Sequence, residues 1–408
     1  MILLLSWKNI WRNKLRSIII ITSVILGLVA GIFVVGFMNG WVKQKIDSVI
    51  EIEIPHLQIN SKTFIYQNDI ENNFDISILE KKILQSKRVK ALSPRIIINT
   101  MISSAHKVGG VQVYGIDPVK EKMVSDIYKN ITKENGNYFN DNKPYSIVIG
   151  AKLAKKYQIK LRSKIVLSMV SIDGIQVSSA FRVCGIYDIG NPPFEESRVF
   201  VRDKDLREIS SLPINRVHET GIRLIDNEIS TLEEAKGFII PLLNKDNKIR
   251  TWKEVNAMMG IYSDYMNIEL MVIVSIILLG LGFGIVNTVL MSVMERKSEL
   301  SMLMAIGMSK KKVLQMIILE STILTSFGGF IGMLLGLIII STLHNTGMDI
   351  SKSMSSVGEF GFSTMVYPAI TVIQFSFIAF MVILTGILSA IYPSKAAMSI
   401  NPAEGIRQ

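Results

Sequence analysis

The sequence predicts an α-helical membrane protein: four transmembrane helices plus a large α+β extracytoplasmic domain between the first and second helices. Three observations carry this. Apolar residues make up 49% of the 408 and cluster into the runs Ser17–Met38, Leu270–Met294, Val313–Leu343 and Val366–Tyr392. A run of ~20 apolar residues crosses a bilayer as a helix, and the first run has 22, about 33 Å of helix at ~1.5 Å per residue. Between the first two runs lie residues 39–269, of ordinary soluble composition and long enough for one large or two small lobes. Finally, the bases are unevenly placed. The first 16 residues carry Lys8, Arg12, Lys14 and Arg16 with no acid, and residues 294–312 carry Arg296, Lys297, Lys310, Lys311 and Lys312 against Glu295 and Glu299. Residues 344–365 have only Lys352 as a base, so the positive-inside rule predicts both termini and the 295–312 loop in the cytoplasm.

The net charge of +11 sits largely in these short segments, so topology and anionic lipid explain it and nucleic acid is rejected as a partner. Cys184 is the single cysteine, which excludes an intrachain disulfide framework. Residues 36–45 offer no small-x-small cleavage site, so the first run reads as an uncleaved anchor.

In chain order, residues 1–16 form an amphipathic cytoplasmic helix with Leu3, Leu4, Trp7, Ile10, Trp11 and Leu15 on one face, suited to the membrane interface. The span 17–38 holds Gly27 and Gly31, then Gly36 and Gly40, and helical spacing continues through Val42, Ile46, Val49 and Ile50 to Pro55. The extracytoplasmic domain, 39–269, reads as a β-rich lobe near 88–205 inserted into a mixed lobe. Its strands are HLQIN, Val89–Ser104, Gly110–Tyr114, SIVIG, KIVLSMV, IQVSSAFRVCGIY, SRVFV and Glu219–Ile225, with a hairpin turn at Ser171–Gly174. Residues 76–85 and 231–243 read as helices, and Gly190-Asn-Pro-Pro and residues 135–144 as loops.

Span 270–294 carries Gly280, Gly284 and Asn287; loop 295–312 follows; span 313–343 carries Gly328, Gly332 and Gly336 in register. Small residues four apart let helices approach closely, so Gly27/Gly31, Gly280/Gly284 and Gly328/Gly332/Gly336 are the predicted packing faces. A loop at 344–365, a span at 366–392 and a cytoplasmic tail at 393–408 complete the chain.

Catalytic and metal signatures are missing from the sequence. No G-x-x-x-x-G-K-[ST] loop and no H-E-x-x-H occurs, and His56, His106, His218 and His344 are not at ligand spacing. No catalytic residue, cofactor or metal is expected on this chain. Glu320 is the one acid inside a span, about two turns past Lys312. Either it pairs with Arg12 or Arg16, as an intramembrane acid requires, or it reaches water at the interface. In ERKSELSMLMAIGMSKKK, Leu300, Leu303 and Met304 fall at helical spacing and Gly307 stops the helix. Such a helix can dock a soluble partner or lie on lipid headgroups.

At these residues the chain resembles the FtsX/MacB-type permeases of ABC transporters, which include the lipoprotein-releasing LolC/LolE permeases. The resemblance rests on Asn287-Thr288, Met291-Ser292-Val293, Glu295-Arg296, Glu299, Ala305-Ile306-Gly307 and Glu320, with Ser301 where the family has glycine. Ser6–Ser17, Tyr392-Pro393 and Asn401-Pro402-Ala403 resemble the family's ends. The resemblance implies a non-catalytic subunit in the bacterial inner membrane, paired with a second permease chain in a homo- or heterodimer. Each chain would bind an ABC ATPase subunit that holds the ATP and magnesium. The coupling residues would be Glu295, Arg296, Glu299, Leu300, Leu303, Met304, Ile306 and Gly307. Lipoprotein release by mechanotransmission is the function it favours, with a lipid or lipoprotein substrate and a periplasmic chaperone as further partners. The short hairpin at 164–187 lacks the long arm a chaperone-recruiting member would need. A MacB-like efflux permease and an FtsX-like regulator of cell-wall hydrolases are the alternatives.

Overall fold

The computed structural model describes residues 6, 7, 10, 12, 14–139, 143–350 and 365–398. They fall into two compact units. The first gathers the long helices. Helix α1 runs Lys14–Ser48 and passes into a π-turn at Val49–Glu53 before Pro55. Among the described residues, four helices are long and apolar enough to cross a membrane.

In the second unit the first strand is β1, Leu57–Ser61. Then come β2 Val89–Ser103, β3 Val108–Ile116, helix α2 Pro118–Val124, β4 Ser146–Gly150, β5 Lys164–Val170, β6 Gln176–Tyr187, β7 Arg198–Arg202, β8 Glu219–Leu224 and β9 Asn247–Thr251. They form a nine-stranded sheet in the order β9-β1-β8-β2-β3-β7-β4-β6-β5, and β2 also pairs with β5 through Met101↔Ser168. Six strands therefore close on themselves. The reason is their alternation: Ile96, Ile98, Ile102, Val111, Val113, Ile147, Ile149, Ile165, Leu167, Phe181, Val199 and Val201 all point into one core. A second core, with Leu57, Ile59, Ile83, Val217, Ile222 and Ile249, lies along the open end of the sheet. Strand β2 serves both, pairing with β8 through residues 89–95 and with β3 through residues 95–103.

Where the two cores meet, Arg95 is buried between Glu121 of α2 and Glu219 of β8, at 2.6 and 2.8 Å. Ser93 donates to the same Glu121 at 2.7 Å. Burial alone would favour the neutral guanidinium, but the two carboxylates outweigh it and hold Arg95 charged. His218 is buried in the same region, accepts from the Ile97 amide, and is held neutral by burial with its pKa lowered to about 4. The Ser171–Gly174 turn closes the β5–β6 hairpin with Gly174 at φ +76°. Pro192 and Pro193 do not sit in a loop as expected; they open a short helix, Pro192–Ser197, where a missing N–H costs nothing. Asn140, Asp141 and Asn142 of the expected 135–144 loop lie outside the described residues.

Returning to the first unit, helix α3 spans Ala257–Glu295, α4 Lys297–Ala305, α5 Lys310–Thr346 and α6 Val372–Met398. The fourth helix starts later and ends later than the apolar run. Met365–Val366 pairs as a strand with Met348–Asp349, and Thr371 and Gln374 cap each other at 3.0 and 3.3 Å to begin the helix. Pro393 lies within α6 rather than ending it. Lys352 and the tail motif Asn401-Pro402-Ala403 lie outside the described residues.

The glycines separate by face. A methyl group on Gly328, Gly332 or Gly336 would meet Val24, Ile25, Leu28 or Ile32 of α1 at 2.8–3.2 Å, and one on Gly27 would meet Leu281 at 2.7 Å. Gly31 has room, with Ile277 at 3.9 Å. Gly36 and Gly40 sit against Ile340 and the Tyr367 carbonyl. Gly280 and Gly284 pack against no described residue of this chain: nothing lies within 4 Å of either, because they share the outward face of α3 with Ile276, Phe283 and Met291. A close approach on that helix lies two residues from each of them, at Gly282 against Thr385. Overpacking a tight contact costs ~1–3 kcal/mol. Gly332→Val is thus expected to lower the melting temperature of the detergent-solubilised single chain by roughly 5 °C, and Gly280→Val to leave it unchanged. Differential scanning fluorimetry reads both.

Candidate functional site

The site that the helices build is a chain of charges around α4. Gly307, at φ +102°, closes this helix, a conformation glycine adopts without penalty. At its start Arg296 is buried, 8% exposed, and turns back into the helices. Its Nη1 donates to Glu320 of α5 at 3.2 Å, and its Nε donates to Glu299 one turn along α4 at 3.1 Å. Glu299 also receives the Arg12 guanidinium, which with Arg296 holds its carboxylate below the usual range. Arg12, Glu299, Arg296 and Glu320 thus tie the N-terminal segment, α4 and α5 into one network. Beside it is a cavity of about 20 Å³, room for one water, lined by Ser17, Ser292, Arg296, Glu320 and Ser321 among others.

This answers the two readings of Glu320. It is paired, and Arg296, 24 residues upstream, is a partner; Arg12, one of the two expected partners, bonds Glu299 instead. The Arg16 side chain lies outside the described residues. Of the N-terminal apolar face, Ile10 is buried, Trp7 and Leu15 are exposed, and Leu3, Leu4 and Trp11 lie outside the described residues. The expected single face is thereby split, since Ile10 turns into the helix core while Leu15 faces out.

The predicted coupling residues also divide. Leu300 is 2% exposed in the core of the helical unit, and Leu303 and Met304 pack against that core. They anchor α4 to its own chain, as does Arg296; Leu300 and Arg296 are buried, and Leu303 and Met304 are half-buried. The outward face is Met302, Ala305, Ile306 and Gly307, with Glu295 at the preceding helix end. Ile306 is 77% exposed and Met302 57%. Periodicity finds an apolar stripe but not which side of a nine-residue helix has the stronger claim on the core. Sequence reasoning missed Met302 and the serines. It also missed Gly386, whose added methyl would strike Thr325 and whose carbonyl accepts from Ser321 at 3.2 Å.

Among the described residues no group of His, Cys, Asp or Glu could hold a metal ion. The arrangement is a short helix held inward by ion pairs and leucines, with an apolar edge exposed.

Residues 271–402 match the FtsX-like permease C-terminal family, and residues 17–232 match the MacB-like periplasmic core domain family. The lipoprotein-releasing system transmembrane protein LolC of Buchnera aphidicola is 25% identical over 81% of this chain and 81% of its own length. LolE of Haemophilus influenzae is 22% identical over 98% and 97%. The macrolide export ATP-binding/permease protein MacB of Bdellovibrio bacteriovorus is 24% identical over 82% of this chain, which spans 49% of that longer protein. With the core-domain match alone spanning more than half of its residues, and four apolar helices around a large inserted α/β domain, this chain belongs to the FtsX-like, MacB-type family of ABC transporter permeases.

Proposed function

We propose that this chain is the membrane subunit of an ABC transporter of the bacterial inner membrane, with both termini and α4 in the cytoplasm and the large domain outside. A separate ATPase subunit binds the outward edge of α4 and holds the ATP and magnesium. The observation that carries this reading is the clamped α4. A helix fixed to α5 through Arg296–Glu320 and to the N-terminal segment through Arg12–Glu299 passes any push on Ile306 and Met302 to both. ATP can bias the assembly only where its two states differ in such contacts. A second permease chain completes the transporter, and the exposed face of α3 at Gly280 and Gly284 is free for it. The substrate is a lipoprotein lifted from the outer leaflet, by analogy with the LolC and LolE relatives. Efflux is the second reading, by analogy with the macrolide export relative MacB.

The test is capture of the tagged chain from native membranes in mild detergent, with mass spectrometry, then reconstitution. Co-recovery of an ATPase and ATP-dependent release of an acylated lipoprotein from proteoliposomes is the expected result. Recovery without any ATPase overturns the transporter reading; an ATPase with no lipoprotein release transfers the chain to efflux.

A further inference from the structure

The second unit contains a groove that nothing in the α4 argument uses. It has a volume of about 630 Å³ and opens where the β5–β6 hairpin meets the segment before β4. Lys133, Lys143, Arg162 and Arg182 line it, with Asn137 and Ser146 as neutral polar neighbours, and no acid is among the described residues that line it. All four cations are exposed and none makes an ion pair with a described residue.

Two features show that this concentration of charge works against the fold. On the antiparallel β5–β6 ladder Lys164 stands directly opposite Arg182, and like charges so placed destabilise a sheet. Arg162 adopts φ +67°, a left-handed backbone that is unfavourable for a non-glycine residue. Its amide is held in that conformation by the Val183 carbonyl at 2.9 Å. A loop that needed only to turn would carry glycine or asparagine there and no second arginine across from a lysine.

The chemistry identifies the occupant's class. Arginine presents a planar fork of donors that matches phosphate oxygens two at a time. A groove of this volume suits a small ligand, within the ~300–1,000 Å³ of small-molecule sites, rather than a flat protein face. Cys184 at the groove adds no covalent chemistry, since burial pushes its thiol up to about 11 and it donates to the Ile147 carbonyl. Pro144, Leu161 and Val183 are the apolar part of the lining, and the four cations are its only described charged groups.

We infer that this groove binds a ligand carrying two or more phosphate charges, with Arg162 and Arg182 gripping it and Lys133 and Lys143 adding field. The phosphates could be those of a free compound or of a lipid headgroup, and the experiment separates the two. Full-length chain in a neutral detergent is titrated calorimetrically with inorganic pyrophosphate and, separately, with dihexanoyl phosphatidic acid below its micelle concentration. Neither titration involves the ATPase or membrane orientation, so failure of the transporter reading leaves this test intact, and its own failure leaves that reading intact.

Binding of pyrophosphate assigns a free phosphate compound; binding of the lipid alone assigns a headgroup. In either case affinity should fall at least about fivefold between ~0.05 and ~0.5 M salt, as screening of exposed charges requires. Arg162→Gln with Arg182→Gln should weaken binding roughly tenfold or more, the loss of two charge-assisted contacts, while Lys87→Gln with Lys90→Gln should not change it. Should the glutamine pair fail to fold, Arg162→Lys with Arg182→Lys keeps the charge and loses the forks, with an expected loss of about threefold. No binding of either ligand, or equal binding by the arginine variants, overturns the inference.

Discussion

Arg95→Ala should be the most damaging single substitution in the extracytoplasmic domain. Arg95 is 5% exposed and contacts Glu121 and Glu219, themselves 1% and 6% exposed. Its Nε and Nη2 both donate to Glu121, at 3.1 and 2.6 Å, and its Nη1 donates to Glu219 at 2.8 Å. Removing the cation leaves two buried carboxylates without their counter-ion, and breaking a buried pair from one side costs ~3–5 kcal/mol. At ~2–4 °C per kcal/mol for a domain of this size, the melting temperature should fall by about 10 °C. The same principle predicts the rescue. Adding Glu121→Gln and Glu219→Gln removes the stranded charge and should recover a large part of the loss, although each alone in the wild type is destabilising. A thermal denaturation series on the four variants and the wild type decides it. A drop of under about 1 °C for Arg95→Ala would mean that water already reaches the seam.

Ile306→Asp should have the largest effect on coupling. Ile306 is 77% exposed at the end of α4, with no role in the core, so its charge should leave folding and membrane insertion unchanged. If the ATPase seats against this edge, burying an aspartate in the place of an apolar anchor should cost about 2 kcal/mol or more, some 30-fold in affinity. The readouts are ATPase recovered per permease and permease-stimulated ATP hydrolysis. Leu300→Asp provides the contrast: Leu300 is inside the helix core, so that variant should be lost at the level of yield. Full ATPase association by Ile306→Asp would mean that α4 lies on lipid headgroups instead.

Why one face of α4 is legible in the sequence and the other is not has a physical basis. Spacing establishes that Leu300, Leu303 and Met304 share a side; it carries no information on whether a membrane helix or a soluble partner covers that side. The glycines repeat the lesson. Gly328, Gly332 and Gly336 meet α1, whereas Gly280 and Gly284, with the same spacing, meet nothing, since a four-residue period names a face and not its neighbour. What is local in the chain is read well: the long apolar runs, the β5–β6 hairpin with its turn at Gly174, the alternating strands. What depends on distant partners is not. Arg296 finds Glu320 across a helical turn-around, and Met101 finds Ser168 to close the ring, and neither pairing leaves a mark on the residues between.

Strand β1 bears on how the protein is born. Its two neighbours in the sheet are β8 and β9, with Leu57 opposite Ile222 on one side and Thr251 on the other. Those partners are made 165 and 194 residues later (222 − 57 and 251 − 57). A nascent chain that has exported β1 therefore holds a strand destined for full burial, Leu57–Ser61, with both edges bare until nearly the whole insert has followed. Contacts this remote in sequence are slow to form and leave the waiting strand open to mispairing. Ribosomal pausing between residues 61 and 219 would prolong that exposure, and a chain stopped there has no route to the native sheet. The domain is thus a late-folding one, completed at about the moment α3 begins to enter the membrane.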